Sequence, residues 1–244
     1  MRPLLRWVVL VVAAALALQV FFVARIALMV VVDPQSTAFQ RSEAWRIWHA
    51  RGNVPWRQQW VPYDQISEQL KRAVIASEDD GYSSHEGVDW EALEKAWQKN
   101  SRAEEQAARR AGTGKAVPVR SPKVVGGSTI TQQLAKNLFL SGERTLLRKG
   151  QELVLTLLLE TLLDKRRILE IYLNSVEWGE GVFGAQAAAE HYYRKSAARL
   201  SAFEAARLAV MLPRPKYFEK LPNSGYLSSR AAVIAARMPD ARLP

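Results

Sequence analysis

Two groups of ionisable residues stand out by type and spacing. Glu78-Asp79-Asp80 ends a helical pattern and runs into a loop that carries His85 and Gly87. Acids at a helix C-terminus face the negative end of the helix dipole, so local helix energetics do not account for them. The same setting raises a carboxyl pKa towards the range of a working general base. Taken alone, a solvated acidic loop is the simpler account. The second group lies further on. In the helical stretch Ser128–Phe139, Ile130, Leu134 and Leu138 form an apolar stripe, while Gln132 and Lys136 share another face and present an amide beside a cation. Arg144, Arg148 and Glu152 are again four apart and line one face if their helix starts early enough. An exposed ladder of such pairs is worth only a few tenths of a kcal/mol per pair.

The elements that must position these groups read as helices. Ile66, Leu70, Ala73 and Val74 make a stripe behind Asp64 as N-cap. A second pattern starts at Asp89, with Trp90, Leu93 and Trp97 on one side, and runs into the loop-like, basic stretch Arg102–Lys123. Within that stretch Gly112-Thr113-Gly114-Lys115 has the wrong glycine spacing for a phosphate loop. Helices follow at Ser128–Phe139, Leu146–Leu163 and Arg166–Leu173, then a glycine-bearing loop at Glu177–Gly184. Ser201 and Glu204 form a capping box for a helix that ends before Pro213, and a last helix covers about Leu227–Arg237. Residues 34–63 read as an irregular juxtamembrane segment rich in tryptophan. No alternating strand pattern or repeat is present, so the expected architecture is mainly α, one globular domain over 64–244.

The chain has 244 residues, 48% of them hydrophobic, enough for one domain with a real core. Lysine and arginine number 34 against 24 acids, a net charge of +10 that calls for a polyanionic partner. With no cysteine, thiolate catalysis and thiolate metal sites are excluded. His49, His85 and His191 lack metal-ligand spacing, so no metal residues are assigned. The amino terminus narrows the choice of polyanion. From Trp7 to Ala24 the chain is apolar except for Gln19, and after Arg25 it is apolar again to Val32. That length spans a bilayer, and Arg2 and Arg6 before it place the N-terminus in the cytoplasm. Ala15-Leu16-Ala17 offers a signal-peptidase site, but the apolar run continues too far beyond it, so residues 1–33 are expected to remain as an anchor. Nucleic acid then drops out and membrane phosphates move ahead.

At this point the residues resemble a known family. Glu78-Asp79-x-x-Tyr82-x-x-His85-x-Gly87 and Gly126-Gly127-Ser128-Thr129-Ile130-Thr131-Gln132-Gln133-Leu134-x-Lys136-Asn137 are similar to the first two signatures of the peptidoglycan glycosyltransferases. Arg148-Lys149-x-x-Glu152 resembles the third, and Arg167-Ile168-Leu169-Glu170-x-Tyr172-Leu173-Asn174 the fourth. Leu200-Ser201-x-x-Glu204-Ala205-Ala206-x-Leu208 resembles the fifth. The five occur in order over residues 64–222. The early end of the chain and the lack of any Ser-x-x-Lys look like the monofunctional members.

The resemblance implies a lysozyme-like fold behind a transmembrane helix in the bacterial inner membrane, with a periplasmic catalytic domain. It implies polymerisation of lipid II into β-1,4-linked glycan, with inversion and release of undecaprenyl pyrophosphate. Carried over by motif, Glu78 is the base on the acceptor's 4-hydroxyl and Glu152 the second catalytic carboxylate. Lys136 and Arg144 neutralise the departing pyrophosphate. Ser128, Thr129, Gln132, Asn137, Asp79, Tyr82, His85 and Arg148 complete the substrate cleft. Tyr82 stands where the family usually has Phe. Expected partners are lipid II, the nascent glycan, the membrane and other cell-wall synthesis or division proteins. No cofactor is required by these roles, and a divalent cation such as Mg bridging carboxylate and pyrophosphate stays open. Two rival readings are an anchored lysozyme-like cleaving enzyme, which would not need the Lys136/Arg144 pair, and a non-catalytic cell-wall scaffold.

Overall fold

A computed structural model describes residues 2–111, 127–143 and 145–244. The first helix, α1 (Arg2–Leu28), contains the run Pro3–Leu28 with a mean hydropathy of 2.6, long and apolar enough to cross a membrane. It fits a single-pass anchor. Among the described residues, its second half packs on the domain through Gln19, Phe22 and Ile26, with Met29 just beyond its end. Arg167 Nε donates to the Met29 carbonyl at 2.8 Å, and its guanidinium pairs with Asp33 at 2.7 Å.

The segment expected to be irregular holds a helix, α2 (Ala38–Arg51). Thr37 and Gln40 form a reciprocal capping box at its start, and Gly52 ends it in the left-handed conformation. Its pattern escapes an apolar-period reading because it buries only Gln40 and Ile47. Polar contacts hold it instead: Gln40 donates to the Ser175 carbonyl, and Glu43 pairs with Lys216.

The core is built on α3 (Glu68–Glu78), α9 (Ala202–Met211) and α11 (Gly225–Arg237), packed together through Leu70, Val74, Leu208 and Ile234. The N-cap of α3 is Ser67 rather than Asp64, which lies in a 3₁₀ turn; Ser67 Oγ accepts from the Leu70 amide at 3.1 Å. Beside this layer, α5 (Ile130–Phe139) packs on α6 (Leu146–Leu162) and α7 (Lys165–Ser175). α8 (Ala185–Tyr193) and the short α10 (Pro215–Glu219) have no counterpart in the sequence reading. The capping box expected at Ser201 and Glu204 is present at the start of α9.

Helix α4 (Trp90–Ala111) extends further than expected and covers the first part of the basic stretch; residues 112–126 lie outside the described residues. Its tryptophans do not form a core stripe, since Trp90 and Trp97 are exposed and Ala96 is the buried residue. Where a loop was expected, β2 (Glu177–Gly179) and β3 (Val182–Phe183) form a hairpin that β1 (Arg57–Gln58) joins in parallel, in the order β1-β3-β2. Gly181 makes this possible: at φ +75° a Cβ there would stand 2.1 Å from the Pro55 carbonyl oxygen. The strands are too short to show an alternating pattern.

Candidate active site

The first carboxylate group is built by the end of α3 and the start of α5. Asp79, the residue that ends α3, is buried and spends both oxygens locally. Oδ2 accepts from the Ile130 amide at 2.9 Å, and Oδ1 lies 2.8 Å from His85 Nε2. The first contact places a carboxylate on the free amides of the α5 N-terminus, where helix polarity favours it. Thr129 caps the same helix end and donates to the Gly87 carbonyl at 2.6 Å. The Glu78-to-Gly87 loop is therefore clamped to α5, and Glu78 is left facing a cavity.

Glu78 is half-buried, and its Oε2 accepts from Gln133 Nε2 at 2.9 Å. Gln133 Oε1 in turn accepts from the Tyr172 hydroxyl at 2.9 Å. Burial pushes the Glu78 carboxyl up from its ordinary value and Asp79 adds to this, while the Gln133 hydrogen bond and the Lys136 charge pull it back. The rise expected from sequence is present, but desolvation rather than helix polarity leads it.

Two cavities share Ser128 in their lining. The smaller, about 170 Å³, is lined by Glu78, Asp79, Asp80, Asp89, Thr129 and Arg237. The larger, about 350 Å³, is lined by Gln132, Lys136, Asn137, Arg148, Lys149 and Glu152, with Phe39 of α2 closing one side. Glu152 is buried, and its carboxylate accepts from Arg148 Nη1 at 2.8 Å and from Lys149 Nζ. One cavity thus offers a carboxylate with a raised pKa, and the other offers fixed positive charge.

The expected site residues divide accordingly. Glu78, Asp79, Ser128 and Thr129 line the smaller cavity, and Ser128, Gln132, Lys136, Asn137, Arg148 and Glu152 the larger. Gln132 does not share an open face with Lys136; it is buried, and its side chain closes the capping box on Thr129. Tyr82 and His85 line neither cavity. Tyr82 is fully buried and donates to the Lys165 carbonyl at 2.7 Å, and His85 packs edge-on against its ring. Arg144 lies outside the described residues. Thr145 caps α6, which begins at Leu146. The sequence reading gave no role to Gln133, Lys149, Phe39 or Arg237. Lys149 was detectable, three residues before Glu152; the others arrive by tertiary packing.

Among the described residues, one group could hold a cation. Asp79, His85 and Asp89 each bring one ligand atom, and these atoms lie within 4.8 Å of one another. Each aspartate keeps one oxygen engaged with a backbone amide, Ile130 for Asp79 and Ala92 for Asp89.

A mainly helical domain with these two cavities is consistent with a lysozyme-like transglycosylase fold, and comparison with known proteins shows the family. The family model described as Transglycosylase matches residues 49–239. A biosynthetic peptidoglycan transglycosylase of Burkholderia thailandensis is 56% identical over 231 residues, covering 95% of this chain and 84% of that protein. The protein of the same name from Burkholderia pseudomallei is 53% identical over 247 residues, covering 100% of this chain and 90% of its own. That of Burkholderia vietnamiensis is 51% identical, with 99% and 93% covered. The chain belongs to the transglycosylase family.

Proposed function

We propose that this protein is a peptidoglycan glycosyltransferase that polymerises lipid II into β-1,4-linked glycan with release of undecaprenyl pyrophosphate. The observation that carries the reading is that the two cavities share Ser128 in their lining, with Glu78 lining one and Lys136, Arg148 and Lys149 the other. The acceptor's sugar 4-hydroxyl sits against Glu78, which takes its proton as the oxygen attacks the donor's anomeric carbon. The donor's pyrophosphate occupies the cationic cavity, where fixed ammonium and guanidinium groups meet the negative charge that develops on the leaving oxygen. Glu152 holds Arg148 and Lys149 in place, and Arg144 belongs to the same cationic set. Ser128 and Asn137 contact the substrate. Asp79, Thr129, Gln132, Tyr82 and His85 support the loop that carries Glu78.

Residues 1–33 anchor the chain in the inner membrane with the N-terminus cytoplasmic, residues 34–63 lead out of it, and residues 64–244 form the periplasmic catalytic domain. The test is incubation of the full chain with lipid II in vesicles. Glycan polymer supports the reading. Shortening of preformed glycan would make the protein a cleaving enzyme, and no turnover would leave a scaffold.

A further inference from the structure

The apolar run of α1 carries one uncharged polar side chain between Trp7 and Ala24, and the reaction as proposed gives it no task. Residues 3–18 of α1 are exposed all round, and Gln19 is where contact with the domain begins. Its amide pairs reciprocally with Gln151: Gln19 Nε2 donates to Gln151 Oε1 at 3.3 Å, and Gln151 Nε2 returns to Gln19 Oε1 at 3.4 Å. Gln151 precedes Glu152, whose carboxylate holds Arg148 and Lys149 at the larger cavity. From Gln19 the contact stripe continues through Phe22, which meets Phe139 edge-on at 5.3 Å, to the Met29 carbonyl on Arg167.

We propose that Gln19 is a positioning residue, which registers the anchor against α6 and so fixes the depth at which the cationic cavity meets membrane-bound substrate. The inference rests on the reading of α1 as an anchor and of the cavity as the seat of a lipid-linked phosphate. Residues 19–28 cover about 15 Å of helix, roughly half of a bilayer's hydrocarbon thickness. The domain therefore grips the outer end of the span along one stripe that includes Phe22 and Ile26, with polar ties at its two ends, Gln19 and Met29, about 15 Å apart. One tie would leave α1 free to slide and rotate; the second removes that freedom. In an apolar medium neither amide has water to fall back on, so the pair holds the register. The exposed Leu146 and Leu147 of α6, at 92% and 86%, extend the apolar surface on the same element.

The chain has no cysteine, so Gln19→Cys with Gln151→Cys introduces the only two thiols. In membranes holding the full chain, this pair should crosslink with a short bismaleimide, and the crosslinked enzyme should still polymerise. Gln19→Leu should raise the KM for lipid II in bilayers roughly 3- to 30-fold, the range that one interhelical amide pair commands, with kcat unchanged. In detergent with a short-chain analogue, where no bilayer sets a depth, Gln19→Leu and the parent should match. Absence of crosslinking, an unchanged KM in bilayers, or an equal loss in both media would overturn the proposal. A parent enzyme without any turnover would instead sink the functional reading, and crosslinking would still report the register.

Discussion

Gln133 joins a half-buried carboxyl to a buried phenol: its amide nitrogen donates to Glu78 at 2.9 Å while its carbonyl accepts from Tyr172 at 2.9 Å. Burial pushes the Tyr172 phenol well up, so it remains a donor, and this fixes which way the Gln133 amide points. The candidate base is thereby aimed by a neutral residue, whose hydrogen bond opposes the rise that burial gives its pKa.

Removing that amide has a signed consequence. The Gln133 hydrogen bond lowers the Glu78 pKa, so Gln133→Ala should raise it. The base works only when ionised, and activity is lost as pH falls through its pKa. The acid limb of kcat/KM against pH should move to higher pH in the variant. Two buried polar groups also lose a partner, which should cost about 1–3 kcal/mol of stability. An unmoved acid limb would remove Gln133 from the base's control.

Lys136 acts on both halves of the site. Its charge pulls the Glu78 pKa down, and it lines the cavity assigned to the leaving group. Lys136→Ala should cut kcat by about 10²–10³-fold, the usual cost of one preorganised electrostatic donor. It should also shift the acid limb upward. Lys136→Arg should restore the pH profile more than the rate, because a planar fork places its donors differently from an ammonium. Steady-state kinetics across pH separates the two effects.

Glu177 makes stability depend on pH away from the site. Burial pushes its carboxyl up to about 7, against the pull of Lys216, whose Nζ stands 3.3 Å away. Between the ordinary glutamate value of about 4.3 and this folded value, the native state binds more protons than the unfolded chain. Its contribution to stability is thus largest below about 4 and declines as pH rises towards 7. Glu177→Gln should gain stability relative to the parent as pH goes from 5 to 8. Denaturant unfolding at both values checks the sign.

Gly87 shows how tightly the Glu78-to-Gly87 loop is clamped. It sits at φ +82°, and a Cβ there would lie 2.8 Å from Thr156 Cγ2 and 2.9 Å from Glu160 Cγ. Gly87→Ala should cost about 1–3 kcal/mol from backbone strain, with a further loss from displacing Glu160. Glu160 accepts from Thr131 and pairs with Lys165, so α5 and α7 should loosen together. Thermal unfolding measures this.

Much of the molecule was legible in the sequence because helices advertise themselves by period and caps. The runs behind Leu70 and Leu134 bury as their spacing demands, and the Ser201/Glu204 box starts α9 where its chemistry says, whereas Leu146, Leu153 and Leu157 of α6 stay exposed and Leu155 and Leu159 are buried instead. α2 was not legible, because it docks through Gln40 and Glu43 rather than an apolar face. The β2–β3 hairpin was hidden by its length. At the site, Glu78, Lys136 and the Arg148–Glu152 pair stand out by type and spacing, but their roles are what the family resemblance implies. The burial of Gln132, and the work of Asp79 as a tie to the Ile130 amide, depend on contacts that local sequence does not encode. Gln19 was visible as an exception in an apolar run, but its partner lies 132 residues away.

The most direct test of the account is the initial rate of lipid II polymerisation by Glu78→Gln beside the parent, with folding checked by thermal unfolding. Glutamine keeps the shape and can still meet Gln133, but it cannot take a proton. The account predicts an intact fold, retained substrate binding and a rate lower by roughly 10²–10⁴-fold. Polymerisation at the parental rate would contradict it, because the acceptor hydroxyl would then lose its proton somewhere other than Glu78.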